Sequence, residues 1–467
     1  MLKSFNLTNF KSFQKETHLP LWGPLTVLIG ANAAGKSNAL EALRMLSWLA
    51  QGNKLSSIQY AVNQADKVVR GRVEDVFHRG SERFTLGCLV DDTKYFSLQL
   101  SIASRAGEMH VVSEKLDSAD KVPLYEMDQP SKGVGTEAGV AYNNFSRGGN
   151  KPHIAVSDQM AVFVQLDSPA SFNAGHKKAR LEIPAACKHY QEALSKILFL
   201  DPVPAKMRDF SFIADKRLGG DGSNLSTVLF RLWWGNDHPT LNAGLAKLNP
   251  KDKSGKDFFG NHSSVLESRK EILSFIQSLP EQDIQGLDFL RGPRDEVMVQ
   301  LVETFGGEPL KYEAALLSDG TLRVLAIAAA MLSAPEGSLV VIEEIDNGVH
   351  PSRARHLLEQ IQAIAKRRKL RVLLSTHNPA MLDALPDSAV EDVVFCYRDP
   401  KSGDSRMQRL GSLPDAPELL IQDSLGHLMT SGVLDRFVKN HQGADVRKQK
   451  AKSWLEKIRK TSTGASR

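Results

Sequence analysis

Residues 24–50 read PLTVLIGANAAGKSNALEALRMLSWLA, and three patterns follow one another there without a break. The apolar run up to Gly30 has the look of a buried parallel strand. Gly30 to Ser37 fits GxxxxGK[ST], and Asn38–Ala50 has helical spacing and strong helix formers. A glycine loop between strand and helix is the context the motif requires. Its glycines let backbone N–H groups wrap phosphate, Lys36 reaches the β and γ oxygens, and Ser37 offers its hydroxyl to Mg²⁺. Asn32 and Asn38, in and beside the loop, join Gly30, Gly35, Lys36 and Ser37 as nucleotide-binding candidates. A chance match in a glycine-rich turn is the bland alternative, and both flanking elements count against it.

A phosphate cradle alone does not hydrolyse ATP. The stretch SLVVIEE supplies a second apolar strand, which ends in Glu343 and Glu344. Ligands gather at the carboxyl ends of such strands. Glu343 is therefore expected to hold Mg²⁺, directly or through water, and Glu344 to orient the attacking water. RVLLSTHNP repeats the arrangement with a histidine, so His377 is expected to reach the γ-phosphate, directly or through Ser375 and Thr376. Farther along lies ALLSDGTLRVLAIAAAMLS, an alanine- and leucine-rich helix opened by Ser318-Asp319-Gly320-Thr321. A helix start of this kind suits an anion, and it equally suits a plain N-cap.

Composition sets the frame. The 467 residues allow two or three domains, and 42% hydrophobic with 24% charged residues is ordinary for a globular protein. A net charge of +5 is compatible with a nucleic-acid partner without identifying one. The three cysteines form no CxxC pair, no apolar run approaches the ~18 residues of a membrane span, and no signal peptide is apparent. A cytoplasmic protein with no membrane partner is expected.

P-loop, LSDGT, acid pair and strand-end histidine, in this order, resemble the ABC-type ATPases of the cytosolic SMC, RecF and OLD branch. The N-terminal NFKSF and the IDNGVHPSRARHLL after the acid pair are similar to that branch too. The resemblance implies an α/β fold: a P-loop ABC-type ATPase head with a mixed sheet, an antiparallel β subdomain and a helical insertion. It implies ATP and Mg²⁺ as cofactors, Glu344 and His377 as catalytic residues, and Ser37 and Glu343 as metal ligands. It further implies head-to-tail pairing, in which Ser318 and the N–H groups near Gly320 close over the nucleotide of a second copy. Three departures stand out. Glu343 replaces the usual Asp, His350 takes the D-loop position that usually carries Asp, and the Q-loop glutamine is Gln99 or Gln165.

The expected organisation is an N-terminal ATPase lobe (1–200), a helical insertion (201–290), a C-terminal ATPase lobe (291–400) and an extension with a basic tail (401–467). The tail is too short and too basic for the nuclease domain of OLD proteins. The chain therefore resembles the ATPases of bacterial anti-phage systems such as Septu or PARIS, in which the effector is a separate protein. The alternatives are a RecF- or SMC-like DNA repair ATPase and the nucleotide-binding subunit of a transporter. Expected partners are a second copy of the chain in a dimer or higher oligomer, a separate effector, and DNA through the basic residues from Arg447 to Lys460.

Overall fold

The computed structural model describes residues 1–58, 68–92, 94–133, 135–146, 148, 150–235, 262–276, 283–304 and 307–440. The chain begins with β1 (Leu2–Thr8), β2 (Thr17–Pro20), β3 (Leu25–Ile29) and helix α1 (Lys36–Ala50). Six strands follow: β4 (Arg83–Val90), β5 (Tyr95–Arg105), β6 (Glu108–Ser118), β7 (Pro123–Gln129), β8 (Glu137–Tyr142) and β9 (His153–Ser157). Next come α2 (Lys177–Ser195), β10 (Leu198–Leu200), β11 (Ser211–Phe212), α3 (Leu225–Trp234) and α4 (His262–Ile276). The next group is β12 (Ile284–Gly292), β13 (Glu296–Glu303), β14 (Leu310–Glu313) and α5 (Asp319–Ser333). Then follow β15 (Leu339–Ile342), α6 (Pro351–Arg367), β16 (Arg371–Ser375), β17 (Val393–Arg398) and β18 (Ser405–Arg409).

Among the described residues three sheets result. An eight-stranded antiparallel sheet runs β2-β1-β4-β5-β6-β7-β8-β9, and a small sheet joins β11, β13 and β12, with β14 on β13. The sheet that carries the motifs runs β10-β15-β16-β3-β17-β18 and is parallel except for its last strand. It takes β3 from one end of the chain and β15 to β17 from the other. The expected α/β architecture, with a mixed sheet and a separate antiparallel sheet, is what the structure shows.

Side-chain alternation divides this central sheet between two cores. Val27, Val340, Ile342, Val372 and Leu374 pack with α5 and α6. Leu28, Leu339, Val341 and Leu373 pack with α1 and the antiparallel sheet. Helix α5 is buried on nearly all sides, which its run of Ala, Leu, Ile and Met predicts for a central helix.

The composition of segment 127–153, rich in Gly, Ser, Asn and Lys, predicts a surface excursion, and this needs correction. The segment contains β8, which pairs with β7 and β9. The apolar spacing of Ser263–Leu279 predicts a helix, and it is seen as α4, with Leu279 outside the described residues. The basic tail, including Trp454, lies outside them too. Among the described residues no helix is long and apolar enough to cross a membrane.

Candidate active site

Gly30 and Gly35 adopt φ of 143° and 117°, a region open to glycine and strained for other residues. Space forbids a side chain as well: a Cβ on Gly30 would lie 2.1 Å from the Cys396 carbonyl oxygen. One on Gly35 would lie 2.4 Å from Ser405 Oγ. The loop is therefore cast against β17 and β18. Lys36 Nζ donates to the carbonyl oxygens of Gly30 (2.6 Å) and Ala31 (3.2 Å), so the lysine lies over its own loop. Burial lowers the Lys36 pKa, opposed by the charges of Cys396, Glu344 and Asp346.

Residues that the sequence reading passed over support the helix start. Asn38 Nδ2 donates to Ser12 Oγ at 2.8 Å, and Ser405 Oγ donates to Ser12 Oγ at 2.8 Å. Ser12 sits in the NFKSF loop, where Asn9 and Lys11 have positive φ. Lys11 pairs with Glu41 of α1, as does Arg70. Arg398 Nε donates to the Ala33 carbonyl at 3.1 Å. Asn38 thus braces the loop from behind, whereas Asn32 is exposed on it.

Beyond β15 the chain turns sharply, with Glu344 at φ 47°. A non-glycine residue there costs free energy, and such positions cluster at functional sites. The turn is held at several points. Glu344 N donates to Ser375 Oγ at 3.0 Å, and Asn347 Nδ2 donates to Glu344 Oε2 at 2.7 Å. Thr376 Oγ1 donates to Asp346 Oδ1 at 2.6 Å. His377 is half-exposed, its Nδ1 3.6 Å from Asp346 Oδ2. Ser375 and Thr376, expected as relays from His377 to phosphate, instead tie β16 to the acid turn. Asp346 and Asn347 are the residues the sequence reading missed here. The IDN that follows the acid pair was the available signal.

Glu343 behaves differently from its neighbour. Its Oε1 accepts from Arg44 of α1 at 2.7 Å. Burial raises the Glu343 pKa, opposed mainly by Arg44. Both side chains line a cavity of about 780 Å³ that Gly30–Ser37, Glu344 and His377 do not line. Among the described residues no hydrogen bond joins Ser37 to Glu343.

Ser318 caps α5, its Oγ accepting from Thr321 N at 3.1 Å, so the plain capping role is realised. Ser318 and Asp319 are nevertheless exposed, and Leu316 before them is 73% exposed. Gly320 lies against the loop after the acid pair: a Cβ there would come 2.3 Å from the Gly348 carbonyl oxygen. His350 caps α6, its Nδ1 accepting from Ser352 N at 3.3 Å. Neither glutamine candidate lies at the P-loop. Gln165 is bonded to the backbone of Ser157 and Met160, and its neighbour Val164 packs near Gly52 past the far end of α1. At ~1.5 Å per residue that is roughly 20 Å from Lys36. Gln99 is exposed on β5, paired with Gly87 and Lys115.

Among the described residues no group of three His, Cys, Asp or Glu forms a metal cage. A Ser hydroxyl and a lone carboxylate fit Mg²⁺, which binds through one or two carboxylates together with substrate phosphates.

Two family models match the chain. Residues 1–196 match one described as an AAA ATPase domain. Residues 171–383 match one described as an AAA domain, putative AbiEii toxin, Type IV TA system. No curated protein matches. Among solved structures, an SMC head bound to the C-winged helix domain of ScpA is 11% identical over 87% of this chain and 96% of its own, with a TM-score of 0.45. An Smc head with an extended coiled coil, bound to the C-terminal domain of ScpA derived from Pyrococcus furiosus, is 12% identical over 90% and 98%, with a TM-score of 0.45. The SMC head domain from Thermotoga maritima is 11% identical over 87% and 98%, with a TM-score of 0.35. With AAA ATPase domains matched from residue 1 to residue 383, and a P-loop and acid turn within them, the chain is an ATP-hydrolysing enzyme.

Proposed function

We propose that this chain is a Mg²⁺-dependent ATPase whose heads pair head to tail around ATP, and that it governs a separate effector in bacterial defence against phage. The exposed Ser318 and Asp319, with Leu316 73% exposed two residues before Ser318, support the pairing. In the pair, Ser318 and the N–H groups near Gly320 meet phosphate held by the other copy, and the positive end of the α5 dipole faces that charge. Such an interface is isologous, so both sites form together. The toxin and TA-system description of the second matched family supports a role in defence.

Within one head, the N–H groups of Gly30 to Lys36 cradle the phosphates, and Lys36 leaves its loop carbonyls to reach the β and γ oxygens. Ser37 and Glu343 would hold the metal ion, which when bound supplies charge neutralisation on the phosphates. Glu344, pinned by Asn347 and Ser375, orients the attacking water. His377, steadied by Asp346, donates to the γ-phosphate.

Glu344→Gln should bind ATP, lose at least about 100-fold in turnover, and become dimeric with ATP by light scattering. Normal hydrolysis in that variant, or a monomer at saturating ATP, would refute the proposal. ATPase activity stimulated by DNA alone, with no effector protein, would favour the RecF- or SMC-like alternative.

A further inference from the structure

We propose that Arg44 is a latch on Glu343: it holds the carboxylate away from the P-loop, and Glu343 must leave it before it can ligate a divalent cation. The inference rests on the reading of Glu343 as a metal ligand.

Geometry comes first. Ser37 and Arg44 are seven residues apart on α1, two turns or roughly 10 Å along the axis. Glu343 bonds to the farther residue. The two acids of one turn therefore have different partners: Glu343 bonds Arg44 on the third turn of α1, and Glu344 bonds Ser375 and Asn347. Strand parity explains the split. Leu339 and Val341 face α1, and Glu343 continues that face.

A latch must also be able to open. Breaking a part-buried ion pair by removing one partner is costly, because the other charge is left uncompensated. Arg44 has a second acid at hand. β10 pairs in parallel with β15 so that Leu200 faces Ile342, and Glu343 N donates to the Leu200 carbonyl at 2.9 Å. Asp201 thus lies beside Glu343 at the same edge of the sheet. Burial raises the Asp201 carboxyl, and Arg44 is the largest charge acting against that rise. The guanidinium also rests over the Phe199 ring, 5.0 Å from its centroid, so it can turn between the two acids while keeping that contact. The 780 Å³ cavity that all three residues line gives it room. The length of Glu343, one methylene more than Asp, lets it reach Arg44.

The test is Mn²⁺ affinity, read by electron paramagnetic resonance with a non-hydrolysable ATP analogue present. Arg44→Met should bind Mn²⁺ about tenfold more tightly, since affinity falls with the fraction of protein in the competent state. Nucleotide affinity in EDTA should not change. Weaker or unchanged Mn²⁺ binding overturns the latch, weaker binding being what an orienting role for Arg44 would give. Should Arg44→Met fail to fold, Asp201→Asn carries the test. It removes the alternative partner and should weaken Mn²⁺ binding, and no change overturns the proposal. Glu343→Gln separates the two readings. Loss of Mn²⁺ affinity upholds the metal role, and full retention overturns that role and the latch with it.

Discussion

Single side chains of the candidate site are held with unequal firmness. Glu344 sits at positive φ under two hydrogen bonds, a geometry that survives only because Ser375 and Asn347 enforce it. Another side chain, far from the nucleotide, is held more tightly still. Glu114 on β6 is fully buried and accepts from Tyr125 Oη (2.6 Å), Val162 N (2.6 Å) and Phe163 N (2.7 Å). Burial pushes its pKa up to about 7, against those three donors. A group whose folded pKa is raised gives stability that is present in full below its unfolded value and lost as pH rises through the folded one. The chain should therefore lose stability between about pH 4.5 and pH 7, by up to about 3 kcal/mol from this group. Thermal unfolding of Glu114→Gln beside the parent should show a difference that changes across that window. A difference independent of pH would contradict the assignment.

Whole elements are placed by close backbone approach. Helix α5 begins where Gly320 meets Gly348, so the turn after the acid pair and the start of this helix are packed as one piece. Gly320→Ala puts a Cβ 2.3 Å from a carbonyl oxygen, which flexible side chains cannot relieve. Alanine adds about 1 kcal/mol of helix propensity, whereas overpacking against rigid backbone costs about 1–3 kcal/mol. The variant should melt about 1–2 °C lower and pair less readily with ATP. A melting temperature at or above that of the parent would mean that the contact is slack.

For the molecule as a unit, the proposed pairing has a direct consequence. Lys36→Ala spoils the P-loop, and Ser318→Arg spoils the surface that closes over another copy's P-loop. Each variant alone should be inactive. A one-to-one mixture should recover part of the activity, because a mixed pair contains one site with both halves intact. ATPase assays across mixing ratios check this, and no recovery at any ratio would count against shared sites.

The motifs of the candidate site were legible because each is local. A strand, a glycine loop and a helix stand in one run at Leu25–Ala50, and Glu343-Glu344 and His377 each end an apolar strand, so pattern and chemistry coincide within ten residues or so. The apolar strands that supply the central sheet from both ends of the chain could be read for the same reason. The segment holding β8 could not, because EAGVAY has little to bury until β7 and β9 flank it. Long-range contacts set the rest. Arg44 and Glu343 are 299 residues apart, Ser12 and Ser405 are 393 apart, and neither pair has a sequence pattern that points to its partner. Local order follows from backbone preference and hydrophobic period. Which acid of the pair meets an arginine follows from strand parity and helix rotation, and these exist only once the sheet has closed.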